Sequence, residues 1–370
     1  MTDNVLRYFE EREELERRVF LELRERFLAE ASPEHLKELE RLAFAAIKPG
    51  CFARGLAPEV LRRLEEAGFR VVDYKVTRLT PELIDELYAF VRLKYKDSWW
   101  IMKKVYTEYP MVALLLKGDP GSYEHLSGRL RDLLGPTTPD AGSPGHLRYD
   151  LKGVNRVLNL VHAADDPAAT LREALVFFSM EEVLRALVSN SEVELKRDEI
   201  TPEEVVELSR WEIFNRVKTR AADGLEENRG EIVRLLDREA EIVEQNLPID
   251  EERAKLLPIE VEFAQWAKRA ESALKDRVIE EARAEANVRR KGLIYEKLNS
   301  QLVASRIVLA LSDEEEMVRM SDFDFTLMAA ISEGFVEDDW EELVLHSTWA
   351  VMPQMINDLR KSGKPVITGA

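Results

Sequence analysis

Apolar residues recur at spacings of three and four from the start of the chain. Leu6, Phe9, Leu15, Val19, Leu23 and Phe27 stand among Glu and Arg, which predicts amphipathic helix over most of residues 5–39. Ser32, Pro33 and Glu34 read as a cap with a first-turn proline opening a second, shorter helix, so a helical hairpin is expected here. From Leu42 the pattern changes to short unbroken apolar runs. Residues 42–47, 71–76, 111–116 and 157–161 predict four strands. Helices fit between them, over 58–67, after the Thr80-Pro81-Glu82 cap, and over 127–134. Strands interleaved with helices, at least one pair joined by a helical crossover, predict an α+β sheet with helices on one face.

Ser179 caps a helix with Glu182 three residues on, and beyond it the strand signal fades. Thr201-Pro202-Glu203-Glu204 combines cap, first-turn proline and box glutamate, which predicts a helix start. From Ile259, Phe263, Trp266, Ala270, Leu274 and Val278 form one stripe, with no glycine before Gly292. That stripe must be covered, and a second copy of the chain is one partner for it; a homo-oligomer with these helices in its interface is expected. Further helices are expected over 314–333 and 338–359, with a frayed tail from Ser362. Three regions result: a helical N-terminal extension (1–41), an α+β domain (42–186) and a large all-helical region (187–370). No internal repeat or low-complexity segment interrupts them.

Composition narrows the function. The 370 residues are 45% hydrophobic and 34% charged, a globular profile with room for two or three cores. A formal charge of -18 argues against a general nucleic-acid or anionic-membrane surface, though not against a local basic pocket. The opening residues lack an apolar signal core, and the run Met111–Leu116 is too short to span a bilayer, so a cytoplasmic location is expected. One cysteine, Cys51, excludes an internal disulfide. No Gly-x-x-x-x-Gly-Lys-Ser/Thr or Gly-x-Gly-x-x-Gly run occurs. Carboxylates at Asp322, Asp324, Glu337, Asp338, Asp339, Glu341 and Glu342 suit helix caps better than a hard-metal site, and His346 has no second imidazole at ligand spacing.

Of five histidines, one has neighbours suited to chemistry: His162, in Asn159-Leu160-Val161-His162-Ala163-Ala164-Asp165. Neutral imidazole is abundant near pH 7 and is a competent nucleophile. Phosphoryl transfer asks for such a nucleophile plus positive charge on the transferring oxygens. Lys48, ending the first apolar run, is a compact point charge, while Arg131 and Arg148 can grip phosphate oxygens bidentately and Thr137 can donate a hydroxyl. Taken singly, each has a bland structural alternative.

Together, Ala46-Ile47-Lys48-Pro49, Gly135-Pro136-Thr137-Thr138-Pro139, Pro144-Gly145-His146-Leu147-Arg148 and the His162 run resemble the nucleoside diphosphate kinase family, from about Leu42 to Val183. The resemblance implies a ferredoxin-like core and transfer of a γ-phosphate from a nucleoside triphosphate to a diphosphate through a phosphohistidine at His162. It implies that Glu173 orients the imidazole and that Tyr88 is an active-site tyrosine. Asn159 would bond a ribose hydroxyl if a turn brings it to the face of His162. Trp99 or Trp100 would stack on the base. Mg2+ would enter with the nucleotide, with Asp165 reaching it through water. Arg129, in a Gly-Arg pair, competes with Arg131. Gly50, Cys51, Ala163 and Ala164 depart from the family pattern, and Ala164 removes a hydroxyl beside Glu173, leaving that carboxylate without the partner. The rival reading is a catalytically weakened nucleotide-binding regulatory protein whose helical region mediates oligomerisation or partner binding.

Overall fold

The structure is a computed structural model that describes residues 2–92, 99–206, 209–225, 229–284 and 288–369. Its contacts gather the chain into two compact units, Met1–Gly153 with Leu158–Glu207, and Val154–Val157 with Leu208–Ala370. The first opens with helices α1 (Thr2–Glu10), α2 (Glu14–Glu30) and α3 (Pro33–Glu38). Ser32 caps α3 as its sequence predicts, accepting from the His35 amide, while the His35 ring accepts from the Ser32 amide at 2.9 Å.

The sheet comprises β1 (Leu42–Ile47), β2 (Arg70–Thr77), β3 (Met111–Lys117) and β4 (Val161–Ala163), in the order β2-β3-β1-β4 with every neighbouring pair antiparallel. Helices α4 (Pro49–Ala53) and α5 (Ala57–Glu66) lie between β1 and β2 in the chain, and α6 (Pro81–Leu87) and α7 (Trp99–Glu108) between β2 and β3. Next come α8 (Leu126–Leu134), α9 (Leu147–Asp150), α10 (Pro167–Ala174), α11 (Met180–Val188) and α12 (Arg197–Ile200). Apart from its short fourth strand, this is the ferredoxin-like α+β arrangement the apolar runs imply.

Every residue of β1 and β3 is buried, so both faces of these central strands are covered, not one. Ala43, Ala45 and Ile47 share a core with Val60, Leu64, Leu126 and Leu130. Phe44 points the opposite way, as alternation requires, and stacks on Phe177 at 5.6 Å. Unbroken apolar runs are the mark of a strand buried on both sides.

Two expectations in this unit fail for physical reasons. The fourth strand begins at Val161, because Leu160 has φ 77 and breaks the extended backbone that the run 157–161 suggests. Thr201-Pro202-Glu203-Glu204 starts no helix: Val206 donates its amide to Ala53 O at 2.9 Å, and Val205 packs where a Cβ on Gly55 would stand. Tertiary pairing overrides the local cap signal there.

The second unit is helical: α13 (Arg210–Asp223), α14 (Arg229–Val243), α15 (Ile249–Ala284), α16 (Val288–Ser312), α17 (Glu314–Arg319), α18 (Phe323–Ser332) and α19 (Asp339–Lys361). Ser209 and Glu212 form the capping box that opens α13. Phe263, Trp266 and Leu274 of α15 are buried, while Ala270 and Val278 of the same stripe are half-buried. The tail is not frayed: Ile367 is buried, its amide donates to Glu314 at 2.9 Å, and Gly369 donates to Asp313 at 2.9 Å. Asp338 caps α19 through the Glu341 amide, and Glu341 pairs with Arg220. Among the described residues no group of three metal-ligating side chains exists, and no helix is long and apolar enough to cross a membrane.

Candidate active site

The site is built on the paired ends of β1 and β4. His162 sits opposite Ala46 in the ladder, and the Lys48 amide, just past β1, donates to Leu160 O at 2.8 Å. Between Asn159 and Val161 the chain makes a three-residue turn: Val161 N donates to Asn159 O at 3.0 Å across Leu160, whose φ is 77. Left-handed backbone at a buried leucine is costly, on the order of 1–3 kcal/mol, and persists only where its surroundings enforce it. The turn joins Asn159 to the site. Its Oδ1 accepts from Lys48 Nζ at 2.7 Å, and its Nδ2 donates to Thr137 O at 3.0 Å. Lys48 in turn lies 5.5 Å from the Tyr106 ring centre.

Glu173, on α10, reaches back to β4 and its Oε2 is 2.6 Å from His162 Nε2. Its other oxygen accepts from Arg172 at 3.3 Å. Burial pushes the Glu173 carboxyl up, but the charge and hydrogen bond of His162, with Arg172 beside it, outweigh burial and hold it below the usual carboxylate range. An ionised carboxylate can only accept, so Nε2 is the protonated nitrogen facing it, and whenever the ring is neutral it is Nδ1 that carries the lone pair. Tyr88 lies edge-on to the imidazole at 5.3 Å, with its hydroxyl 2.9 Å from that of Tyr106. Burial, with Tyr106 and Glu173 nearby, pushes the Tyr88 phenol well up, which keeps it a neutral hydrogen-bonding group.

The basic residues fall into two sets. Arg148 donates to Gly135 O at 2.7 Å and Val161 O at 2.6 Å, placing its charge beside the residue before His162 and tying the 135–148 loop to β4. Arg131 pairs with Asp165 at 3.2 Å, both exposed. Arg129 turns elsewhere, to Asp119 O and Ala67 O. Thr137 meets Asn159 through its carbonyl, while its neighbour Thr138 is buried. Trp99 stands edge-on to Tyr88 at 6.2 Å and donates to Asp85 at 2.6 Å; Trp100 is half-exposed.

Tyr106 and Arg172 carry no sequence signal, and the turn that Asn159 requires is found at Leu160. Tyr106 follows a helix pattern with no motif around it. Arg172 adjoins Glu173, and consecutive helix residues normally point apart, so nothing in the spacing announces that they meet. Its contact gives Glu173 Oε1 a partner at 3.3 Å that the sequence does not announce. Of the departures from the family pattern, Gly50 and Cys51 lie buried in α4, whose amides at Cys51 and Phe52 donate to Lys48 O. Cys51 is fully buried and its thiol is pushed up to about 12 by that burial, so it is inert packing.

Residues 41–183 match the family described as nucleoside diphosphate kinase. The nucleoside diphosphate kinase of Moorella thermoacetica is 38% identical over 142 residues, which are 38% of this chain and 95% of that protein. That of Methanococcus maripaludis is 33% identical over 135 residues, 36% of this chain and 96% of the relative. A solved nucleoside diphosphate kinase family protein from Babesia bovis is 25% identical, covers 38% of this chain and 90% of its own, and superposes with a TM-score of 0.34.

Proposed function

We propose, from the premise that this chain belongs to the nucleoside diphosphate kinase family through residues 41–183, that it moves the γ-phosphate of a nucleoside triphosphate to a nucleoside diphosphate through His162. The observation that carries the reading is the Nε2–Glu173 contact, which leaves Nδ1 as nucleophile. The Nδ1 lone pair attacks the γ-phosphorus, the bond from that phosphorus to the β–γ bridging oxygen breaks, and the nucleoside diphosphate leaves with that electron pair. Glu173 keeps the Nε2 proton in place and offsets the positive charge that the phosphorylated ring acquires. In the second half, a terminal oxygen of the acceptor diphosphate attacks the same phosphorus and the P–N bond breaks, restoring neutral His162.

Lys48 and Arg148 set positive charge beside the reacting atoms, Arg131 extends it outward, and Asn159 and Thr137 take the ribose and phosphate side. The Trp99–Trp100 pair offers the base a stacking face, which is tolerant of base identity. Mg2+ entering with the nucleotide would supply charge neutralisation on the phosphates. The donor set fits an ion carried by phosphates: among the described residues there is no protein cage, and Asp165 is a single exposed carboxylate already facing Arg131. A homo-oligomer with the C-terminal helices in its interface belongs to the same reading, and sedimentation equilibrium of the full chain checks it. The test of the function is incubation with γ-labelled ATP and magnesium: acid-labile, alkali-stable label must appear on the protein and be discharged by a nucleoside diphosphate. A chain that binds nucleotide and never takes up label rejects the reading.

A further inference from the structure

The carboxylate that orients His162 is held from behind by one guanidinium. Arg172 donates through NH1 to Glu86 O at 3.0 Å and through NH2 to Leu87 O at 2.7 Å and Glu173 Oε1 at 3.3 Å. Glu86 and Leu87 end α6, where the negative end of the helix dipole favours a cation, and Tyr88 follows directly. So one buried-edge charge, its side chain 13% exposed, fixes both the start of the Tyr88 segment and the second oxygen of Glu173. A carboxylate held through one oxygen turns easily about its last torsion; held through both, it presents Oε2 to His162 in one direction.

The seat of Arg172 is backed by residues outside the matched domain. Its guanidinium lies 5.2 Å from the Phe90 ring centre, and Phe90 stacks on Phe20 of α2 at 5.9 Å. Arg12, between α1 and α2, lies 3.9 Å from the same Phe20 ring and pairs at 2.5 Å with Asp166, the N-cap of α10. The N-terminal helices thus grip the cap of the helix that carries Glu173, and the phenylalanine on which Arg172 rests.

We infer that Arg172 is a positioning residue that holds Glu173 against His162 in place of a hydroxyl at position 164, and that the N-terminal helices keep it there. The inference rests on the phosphohistidine reading for its kinetic consequence, not for its geometry. Ala164 is fully buried and its side chain offers no donor, so the hydroxyl that the resemblance implies there is absent, and Arg172 on α10 donates to Glu173 Oε1.

The full chain is compared as wild type, Arg172→Gln, Arg172→Lys, Phe20→Ala, Ala164→Ser and the Arg172→Gln/Ala164→Ser pair. Histidine 15N shifts read the His162 tautomer, and single-turnover labelling reads transfer. Arg172→Gln should lower the Nε2–H population and slow labelling about ten-fold, the worth of one charge-assisted hydrogen bond, with ATP binding within about two-fold. Arg172→Lys, which keeps charge without the fork, should fall between, and Phe20→Ala should shift both readouts the same way by less. Ala164→Ser should change the wild type by less than about two-fold and recover most of the loss in the Arg172→Gln background. An unchanged tautomer in Arg172→Gln, or a serine effect equal in both backgrounds, overturns the inference. Should Arg172→Gln not fold, a lysine variant equal to wild type overturns it as well. If the wild type takes no label, the kinase reading fails, and the tautomer comparison still decides the role of Arg172.

Discussion

Each unit buries a cluster of charges, and the two clusters behave in opposite ways. In the first, Glu173 is one carboxylate between His162 and Arg172, and its carboxyl is held below the usual range. In the second, Lys218 is one ammonium between two carboxylates, 2.6 Å from Glu239 and 2.9 Å from Glu260, with Asn215 donating to Glu239 at 3.0 Å. Burial, together with Glu239, raises the Glu260 carboxyl to about 8 in spite of Lys218. One cation cannot balance two anions away from water, so that pair keeps a proton. Access separates them too. The side chains of Lys218, Glu239 and Glu260 are 0% exposed, and Lys218 directs contacts to both carboxylates, whereas His162 is 20% exposed and retains a ring nitrogen that Glu173 does not use. Buried titratable groups become chemistry when one atom with an unused lone pair is reachable; otherwise they are architecture.

The largest expected effect tests that distinction at its centre. His162→Ala should abolish acid-labile label, since no other group in the site supplies an imidazole lone pair, while nucleotide binding stays within a few-fold. Label persisting at the wild-type level in this variant would falsify the mechanism. The mirror experiment is Lys218→Met. Removing one partner of a buried ion cluster costs about 3–5 kcal/mol, so the helical unit should unfold at markedly lower denaturant, with label per folded molecule unchanged. A stability loss under about 1 kcal/mol would mean the cluster is not closed to water as its burial indicates.

The two regions also differ in how much the sequence discloses. Strands β1 and β3 are legible because apolar runs of that length, bounded by polar residues, have few other uses, and His162, Lys48 and Glu173 are legible through a resemblance carried by several short motifs in order. What makes them a site is not legible. The turn at Leu160 is a backbone conformation that leucine rarely takes, imposed by the ladder from Lys48 to Leu160 O. Arg172 acts on carbonyls 85 and 86 residues upstream, contacts that carry no sequence signature. In the helical unit, the apolar periodicity of α15 is plain, yet nothing in the spacing of Lys218, Glu239 and Glu260 marks them as one cluster. The Thr201 cap signal misleads for the converse reason, since Val205 and Val206 gain more from packing on residues 53–55 than from a helical turn.

A smaller effect concerns pH in the second unit. Glu260 has an ordinary value of 4.5 and a folded value of about 8, so between them the unfolded chain has released a proton that the folded chain keeps. Stability therefore falls as pH rises through that window, by up to about 1.4 kcal/mol per pH unit, and levels off above it. Glu260→Gln keeps a neutral group opposite Glu239 and Lys218 and should flatten this limb. Urea midpoints of the full chain from pH 5 to 9 measure it; a wild-type curve already flat over that range, or a glutamine variant with the same slope, would remove the shared proton from the account.

The smallest effect lies at the other end of the pH scale and closes the contrast. Glu173 has a folded value below its ordinary 4.5, so the folded state releases the proton more readily than the unfolded chain. Its contribution to stability is complete above the ordinary value and is lost as pH falls through the depressed one, the reverse of Glu260. Glu173→Gln removes the charge that pairs with His162 and Arg172 while keeping an acceptor, so it should blunt the acid limb and leave the alkaline limb untouched. Hydrogen exchange of the β1 amides follows the first unit specifically, because those amides are buried in its central ladder. Measured between about pH 3 and 6, wild-type protection should fall with acid more steeply than that of the variant. Parallel curves for the two proteins would show that burial cancels His162 and Arg172 at this carboxyl, and a wild-type curve that falls less steeply than the variant's would show that burial governs it, as at Glu260.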